Sequence, residues 1–290
     1  MKKLKQIISQ VKGLSTQAPS ATLDELLWQL ICYPPKMPLR LQQQQLLNAA
    51  EKFSLKVNDE FFANTALTFN GFIWGNGPHK VFITHGWGSK AADFSELIAA
   101  LFENPQLQII AFDAPGNGSS EGDLSNLLLF SRAVEAVITT YGKPNVLIGH
   151  SLGAMANVIA LKNTESNPAL LISLTPLVKL HENFEKTMSA AGVTQQAQHR
   201  FFKDFESRYN IPASYFNFKE LYDFDKLLNH WLAYDEDDMI LPYTYLQEFL
   251  ADHPEINSQN FNGAGHERII KTPEVIEAVT KQISAITTII

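Results

Sequence analysis

The stretch Val146-Leu147-Ile148-Gly149-His150-Ser151-Leu152-Gly153-Ala154-Met155 leaves little freedom in what can be built around it. An apolar run rich in β-branched residues ends at Gly149, and a helix-forming run, Ala154 to Leu161, starts just past Gly153. The pattern reads as strand, sharp turn and helix, with a serine at the turn. A serine held there needs strained dihedrals, and the positions two residues to either side must lack side chains so that strand and helix can pass closely. Such a turn pushes the Ser151 hydroxyl out beyond the sheet edge, beside the free N–H groups of a helix N-terminus.

The surrounding chain supplies the matching context. Val81-Phe82-Ile83-Thr84 reads as a buried strand with the exit loop His85-Gly86-Trp87-Gly88-Ser89, followed by a helix from Phe94 to Phe102. The strand 108–112 leads into Asp113-Ala114-Pro115-Gly116-Asn117-Gly118-Ser119, and a helix returns over 124–141. After the serine come a strand over 170–174, a strand over 230–234, a helix over 243–250, a short strand within 255–261 and a closing helix begun by Thr272-Pro273. Alternating strand and helix of this kind predicts a mostly parallel sheet covered on both faces, an α/β class fold. Upstream, Thr22 and Glu25 suggest a capping box for a helix over 23–31, a second helix is expected over 39–53, and 67–74 reads as strand.

The predicted organisation is a polar leader over 1–20, loose or partly helical, a core formed by 21–176 and 230–290, and an insert over 177–229. The insert is helical in pattern and crowded with aromatics, among them Phe184, Phe201, Phe202, Phe205, Tyr209, Phe216 and Phe218. Most of these rings are expected to pack on one another. Placed between two sheet strands, the insert also reads as a lid over the serine, with some rings lining an acyl or alcohol pocket.

Composition narrows the function further. With 290 residues and 45% apolar content, the chain can bury a sizeable core. A net charge of −7 and the lack of a Lys/Arg cluster beyond the first residues argue against a nucleic-acid surface. No apolar run reaches the roughly 18 residues a membrane span requires, and the basic start is followed by polar residues rather than a signal-peptide core. One cysteine, Cys32, cannot form an internal disulfide and fits a reducing cytoplasm; its apolar neighbours mark it as a packed core residue.

A serine hydroxyl needs a base, a carboxylate to orient that base, and donors for the oxyanion. Downstream of Ser151 there is one well-placed carboxylate source, Asp235-Glu236-Asp237-Asp238, directly after a strand, and one well-placed histidine, His266, after the last strand. The order serine, acid, histidine is the one used on this type of sheet, and Gly263 and Gly265 let the loop swing back towards the serine. The acidic run lacks the glycine and spacing of a calcium loop. Gly116-Asn117-Gly118 resembles the opening of a dinucleotide fingerprint, but Glu121 stands where the third glycine belongs. No metal or organic cofactor is therefore expected.

From about Leu26 onward these residues resemble the α/β-hydrolase fold serine hydrolases, and most closely a branch of small cytosolic esterase-like proteins. The likeness rests on His85-Gly86-Trp87, on Asp113 to Ser120, on the Ser151 turn, on Asp238-x-x-x-Pro242 and on Gly265-His266. It implies Ser151 as nucleophile, His266 as general base and then acid, and Asp238, chosen over Asp235 and Asp237 by its spacing from Pro242, as orienting carboxylate. The backbone N–H groups of Trp87 and Leu152 would form the oxyanion hole. Asn117 and Tyr234 depart from the pattern, since relatives often carry histidine at both places. The neighbouring His85 and His150 are expected to be structural, and histidines 79, 181, 199, 230 and 253 to be surface or core residues. The expected activity is hydrolysis of carboxylic esters with small to medium acyl or alcohol groups through an acyl-enzyme, failing as pH drops through about 6 to 7 when the base becomes protonated. Thioesters, amides and carbon–carbon bonds are open to the same machinery, and a non-catalytic ligand-binding protein is the rival from another class. The expected partner is a small molecule, not a nucleic acid or a membrane.

Overall fold

Eight strands form one sheet in the order β1 (Glu51–Asp59), β2 (Thr65–Trp74), β4 (Leu107–Phe112), β3 (His79–Thr84), β5 (Val146–His150), β6 (Leu170–Leu174), β7 (His230–Tyr234) and β8 (Asn257–Asn260). This is a computed structural model that describes residues 2–15, 20–224 and 228–287. Of the leader and the insert, residues 1, 16–19 and 225–227 lie outside that range. β1 and β2 pair antiparallel, as do β2 and β4, and every pairing from β4 to β8 is parallel.

The sheet is held by side chains that alternate between its faces, as the period of two in a strand requires. Val81, Ile83, Val146 and Ile148 point to the face covered by α4 (Ser95–Phe102) and α11 (Pro273–Thr287). Phe82, Ile110 and Leu147 point to the opposite face, covered by α5 (Leu127–Tyr141) and α6 (Leu152–Asn163). Both faces are therefore dry, which is why the central strands read as continuous apolar runs. Each fully buried Phe, Leu or Ile contributes at most about 1.5–3 kcal/mol.

The expected elements differ from the observed ones mainly upstream of β3. The helix α2 (Ala21–Cys32) is capped by Ser20, whose hydroxyl accepts from the Leu23 N–H at 3.3 Å, so Thr22 lies inside the helix rather than at its cap. The helix expected over 39–53 stops early, as α3 (Leu41–Asn48), and Glu51 onward is the edge strand β1. Its alternation of Phe53, Leu55 and Val57 with Lys52, Ser54 and Lys56 was a period-two signal, weakened because most of an edge strand stays in water. The leader carries a helix, α1 (Lys2–Leu14), with Ile7 and Val11 buried.

The insert contains α7 (Leu180–Ala190), α8 (Gln195–Tyr209) and α9 (Phe218–Leu221). Phe201, Phe205, Phe216 and Phe218 join the same core as Trp28 of α2. The Trp28 ring lies 4.8 Å from Phe201 and 6.0 Å from Phe205, and its indole N–H donates to Asp204 at 2.6 Å.

Candidate active site

Ser151 stands between β5 and α6 with φ 51° and ψ −120°, a left-handed backbone that costs a non-glycine residue about 1–3 kcal/mol. The surrounding structure holds it there. Its N–H donates to Leu174 O at 3.1 Å, and its carbonyl accepts from Ala154 and Leu177, both at 3.1 Å. A Cβ on Gly149 would lie 2.5 Å from the Ala154 Cα, and one on Gly153 would lie 2.4 Å from the His85 carbonyl oxygen. Both glycines are thus required by backbone passing backbone, the physical reason expected for the spacing.

Two loops bring the partners, His266 and Asp238, from 115 and 87 residues further along the chain to the serine. The His266 Nδ1–H donates to Asp238 Oδ2 at 2.7 Å, which leaves Nε2 as the acceptor for the Ser151 hydroxyl at 3.0 Å. The side chains of His266 and Asp238 are 8% and 4% exposed, so these hydrogen bonds lie largely out of bulk water. Burial pushes the Asp238 carboxyl up. The His266 hydrogen bond and charge, with the N–H groups of Leu241 and Ile240, outweigh that and hold it below the usual carboxylate value. The other oxygen of Asp238 accepts those two N–H groups at 3.0 and 2.7 Å, which fixes the direction in which the carboxylate faces.

The remaining carboxylates of the run divide. Glu236 and Asp237 are exposed, whereas Asp235 is buried. Its Oδ2 accepts from the Gly265 N–H at 2.7 Å and its Oδ1 from the Asp237 N–H at 3.0 Å. Asp235 therefore ties the histidine loop to the end of β7, one residue before His266. Gly263 and Gly265 have φ of +77° and +67°, the left-handed turns by which that loop comes back.

Trp87 and Leu152, expected to supply the oxyanion donors, line the same cavity as Ser151. Leu152 is the first residue of α6, where N–H groups have no partner within the helix. The loop after β3 passes close over the serine, because a Cβ on Gly86 would sit 3.1 Å from the Ser151 Cβ. His85 braces this loop from beneath. Its Nε2 accepts from the Ala114 N–H at 2.9 Å, so the proton sits on Nδ1 and is donated to the Gly86 carbonyl at 2.7 Å. Burial lowers the His85 pKa and so preserves this neutral tautomer, against an opposing pull from Asp113.

Two further residues hold the site, Asn117 and the His150 expected to be structural. Asn117 is buried; its Oδ1 accepts from the Gly88 N–H at 3.1 Å and its amide donates to the Pro115 carbonyl at 3.0 Å. It ties the turn after β4 to the loop after β3, so its departure from the family pattern has a structural job. His150 donates from Nε2 to the His266 carbonyl at 2.8 Å, while its Nδ1 faces Gly86. Burial, followed by the neighbouring His266, lowers the His150 pKa to about 3. The other departure, Tyr234, stacks on Tyr243 at 5.2 Å. His230 is a core residue with partners, Tyr222 at 3.0 Å and Ser173 at 2.9 Å. His181 stacks on Phe202, and His253 meets Glu255 at 3.1 Å.

Ser151 and His266 face a cavity of about 1060 Å³, bounded by Trp87 and Leu152, by Phe184, Phe205 and Phe216 from the insert, and by residues of α1 and α2. Among the described residues, no group of three or more His, Cys, Asp or Glu gathers to hold a metal ion, and no helix is long and apolar enough to cross a membrane.

A mostly parallel sheet flanked by helices, with a strained serine beyond the end of a central strand, defines an α/β hydrolase. The chain belongs to the Alpha/beta hydrolase family, whose model matches residues 81–279. Among its relatives, the monoglyceride lipase of Rattus norvegicus is 26% identical over 122 residues, 39% of this chain and 40% of that protein. The monoglyceride lipase homolog of monkeypox virus is 30% identical over 106 residues, 34% of this chain and 38% of that one. The matches therefore span less than half the length of these relatives. An esterase of Pyrococcus furiosus superposes with a TM-score of 0.60 at 17% identity, covering 88% of this chain and 96% of that one. The mouse alpha/beta hydrolase domain-containing protein 10 gives 0.59 at 18% identity, covering 81% and 98%.

Proposed function

We propose that this protein hydrolyses carboxylic esters through an acyl-enzyme, with Ser151 as nucleophile, His266 as general base and acid, and Asp238 as the carboxylate that orients His266. The observation that carries this reading is the continuous relay of 3.0 and 2.7 Å from hydroxyl to imidazole to carboxylate at a strained serine. As Ser151 Oγ attacks the carbonyl carbon, its proton passes to His266 Nε2. The negative charge that develops on the carbonyl oxygen is met by the N–H groups of Trp87 and Leu152. His266 then hands the proton to the leaving alkoxide, and the alcohol departs. Water attacks the acyl-enzyme and gives a proton to His266, which returns it to Ser151 Oγ as the acid is released. The Asp238 carboxylate stays ionised throughout and stabilises the imidazolium at each stage.

The names of the monoglyceride lipase and esterase relatives support the ester class. The aromatic insert acts as a cap over the site, and the substrate is a small molecule. The buried single cysteine suits a reducing cytoplasm. Incubation with a fluorophosphonate probe is the direct test. Stoichiometric labelling of Ser151, with a fall of at least about a thousandfold in aryl-ester turnover in Ser151→Ala, is expected. No labelling together with unchanged turnover in the variant would overturn the proposal.

A further inference from the structure

The N-terminal helix lies outside the segment that matches the family, yet it reaches the substrate cavity. Its apolar residues Leu4, Ile7, Ile8 and Val11 recur at helical spacing, and they divide by destination. Ile7 and Val11 are buried in the common core with Leu27 of α2 and Val193 beyond α7. Leu4 and Ile8 are only half-buried in protein, and both line the cavity that also holds Ser151 and His266. Leu30 and Ile31 of α2 and Ala190 at the end of α7 line it with them, so α1 completes a wall made of three helices. One end of the helix is tethered, and the other lies close to the insert. The Lys3 ammonium sits 4.7 Å above the Tyr33 ring, and the Lys12 side chain passes 4.0 Å from where a Cβ on Gly192 would project, in the turn after α7.

Resting on the reading of Ser151 as an ester-cleaving nucleophile, we infer that α1 is a specificity wall: Leu4 and Ile8 contact the distal part of a long, unbranched acyl chain and set the longest chain accepted. The physical case is one of size and polarity. A cavity of about 1060 Å³ stands at the upper end of the range for small-molecule sites, well beyond what an acetyl or butyryl group fills. Its walls at α1 and α2 carry the aliphatic side chains that suit methylene groups and offer no charge to a polar substrate. Each methylene placed in such a wall strengthens binding about fourfold, so excluding two of them costs about fifteenfold.

The test is a chain-length series of p-nitrophenyl esters, acetate, octanoate and dodecanoate, with wild type, Leu4→Trp and Ile8→Trp. Wild type is expected to favour the longer esters. In the tryptophan variants kcat/KM for dodecanoate should fall at least about tenfold while that for acetate stays within about twofold. Equal loss on all three esters, or no change on any, would overturn the assignment. Should the tryptophans prevent folding, Leu4→Ala and Ile8→Ala decide it, since they should move the preference towards longer chains, and an unchanged preference refutes it. Acetate separates the two levels of inference. Failure of wild type to cleave any ester removes the proposed activity, whereas acetate cleavage with a chain-length preference indifferent to α1 removes only the wall.

Discussion

His150, the residue before the proposed nucleophile, offers the sharpest test of how the proposed relay is held. Its Nε2–H donates to the carbonyl of His266 itself at 2.8 Å, with the two rings 5.0 Å apart, so it sets the backbone from which the His266 imidazole hangs. The remaining contact to that carbonyl is a 3.5 Å approach by the Thr175 hydroxyl, too long to replace it. Removing the donor should cost about 1–3 kcal/mol, the penalty of a buried carbonyl left unpaired. If the cost falls on the productive position of His266, kcat drops by about 5- to 150-fold. His150→Phe keeps the ring volume without the donor, His150→Asn presents an amide near the Nδ1 position, and His150→Gln reaches the Nε2 position. Steady-state kinetics on an aryl ester should show Phe and Asn impaired in kcat with KM little changed, and Gln within about threefold of wild type. Because His150 titrates only at about 3, it stays neutral and the pattern should hold at every pH from 5 to 9. Equal impairment of Gln and Phe, or full activity in Phe, would refute the positioning role.

The carboxylates give a graded series: Asp238→Asn should lower kcat at least about a thousandfold by removing the charge that holds the imidazolium. Asp235→Asn retains one acceptor oxygen for two N–H groups, and should lose about 1–3 kcal/mol in urea unfolding with about 5- to 150-fold of activity. Asp237→Asn, at an exposed position, should match wild type in both assays. Stability should fall on acidification because His150 and His230 have folded pKa values lowered to about 3, mainly by burial, against about 6.5 unfolded. Between those values the unfolded chain binds more protons, so each histidine removes about 1.4 kcal/mol per pH unit below 6.5. Urea melts of wild type at pH 7 and pH 5 should differ by up to about 4 kcal/mol from these two groups. His230→Phe should be weaker at pH 7 but shallower in its pH dependence, and an unchanged slope would count against a neutral buried His230.

Much of this protein was readable along the chain because its signals are local. The alternation from Val81 to Leu174, the glycines flanking Ser151 and the Gly265-His266 pair all follow from what a short stretch can do with its own backbone. Interactions between distant stretches were not readable. Nothing near Asp235 distinguishes it from Asp237, and the difference arises because the Gly265 N–H, 30 residues on, is folded against one of them. The same holds for Asn117 under the loop after β3 and for His150 behind His266, whose partners lie 29 and 116 residues away. The edge strand β1 was obscured because water on its flank relaxes the alternation that marks central strands. The role of α1 could not be read at all, since Leu4 and Ile8 are ordinary apolar residues until α2 and α7 enclose a cavity beside them. Sequence alone determined the strand–turn–helix around Ser151 and singled out His266 and Asp238 as its candidate partners. Tertiary packing decided which groups meet and which of several equivalent residues supports them, because hydrogen bonds and apolar walls depend on separation in space.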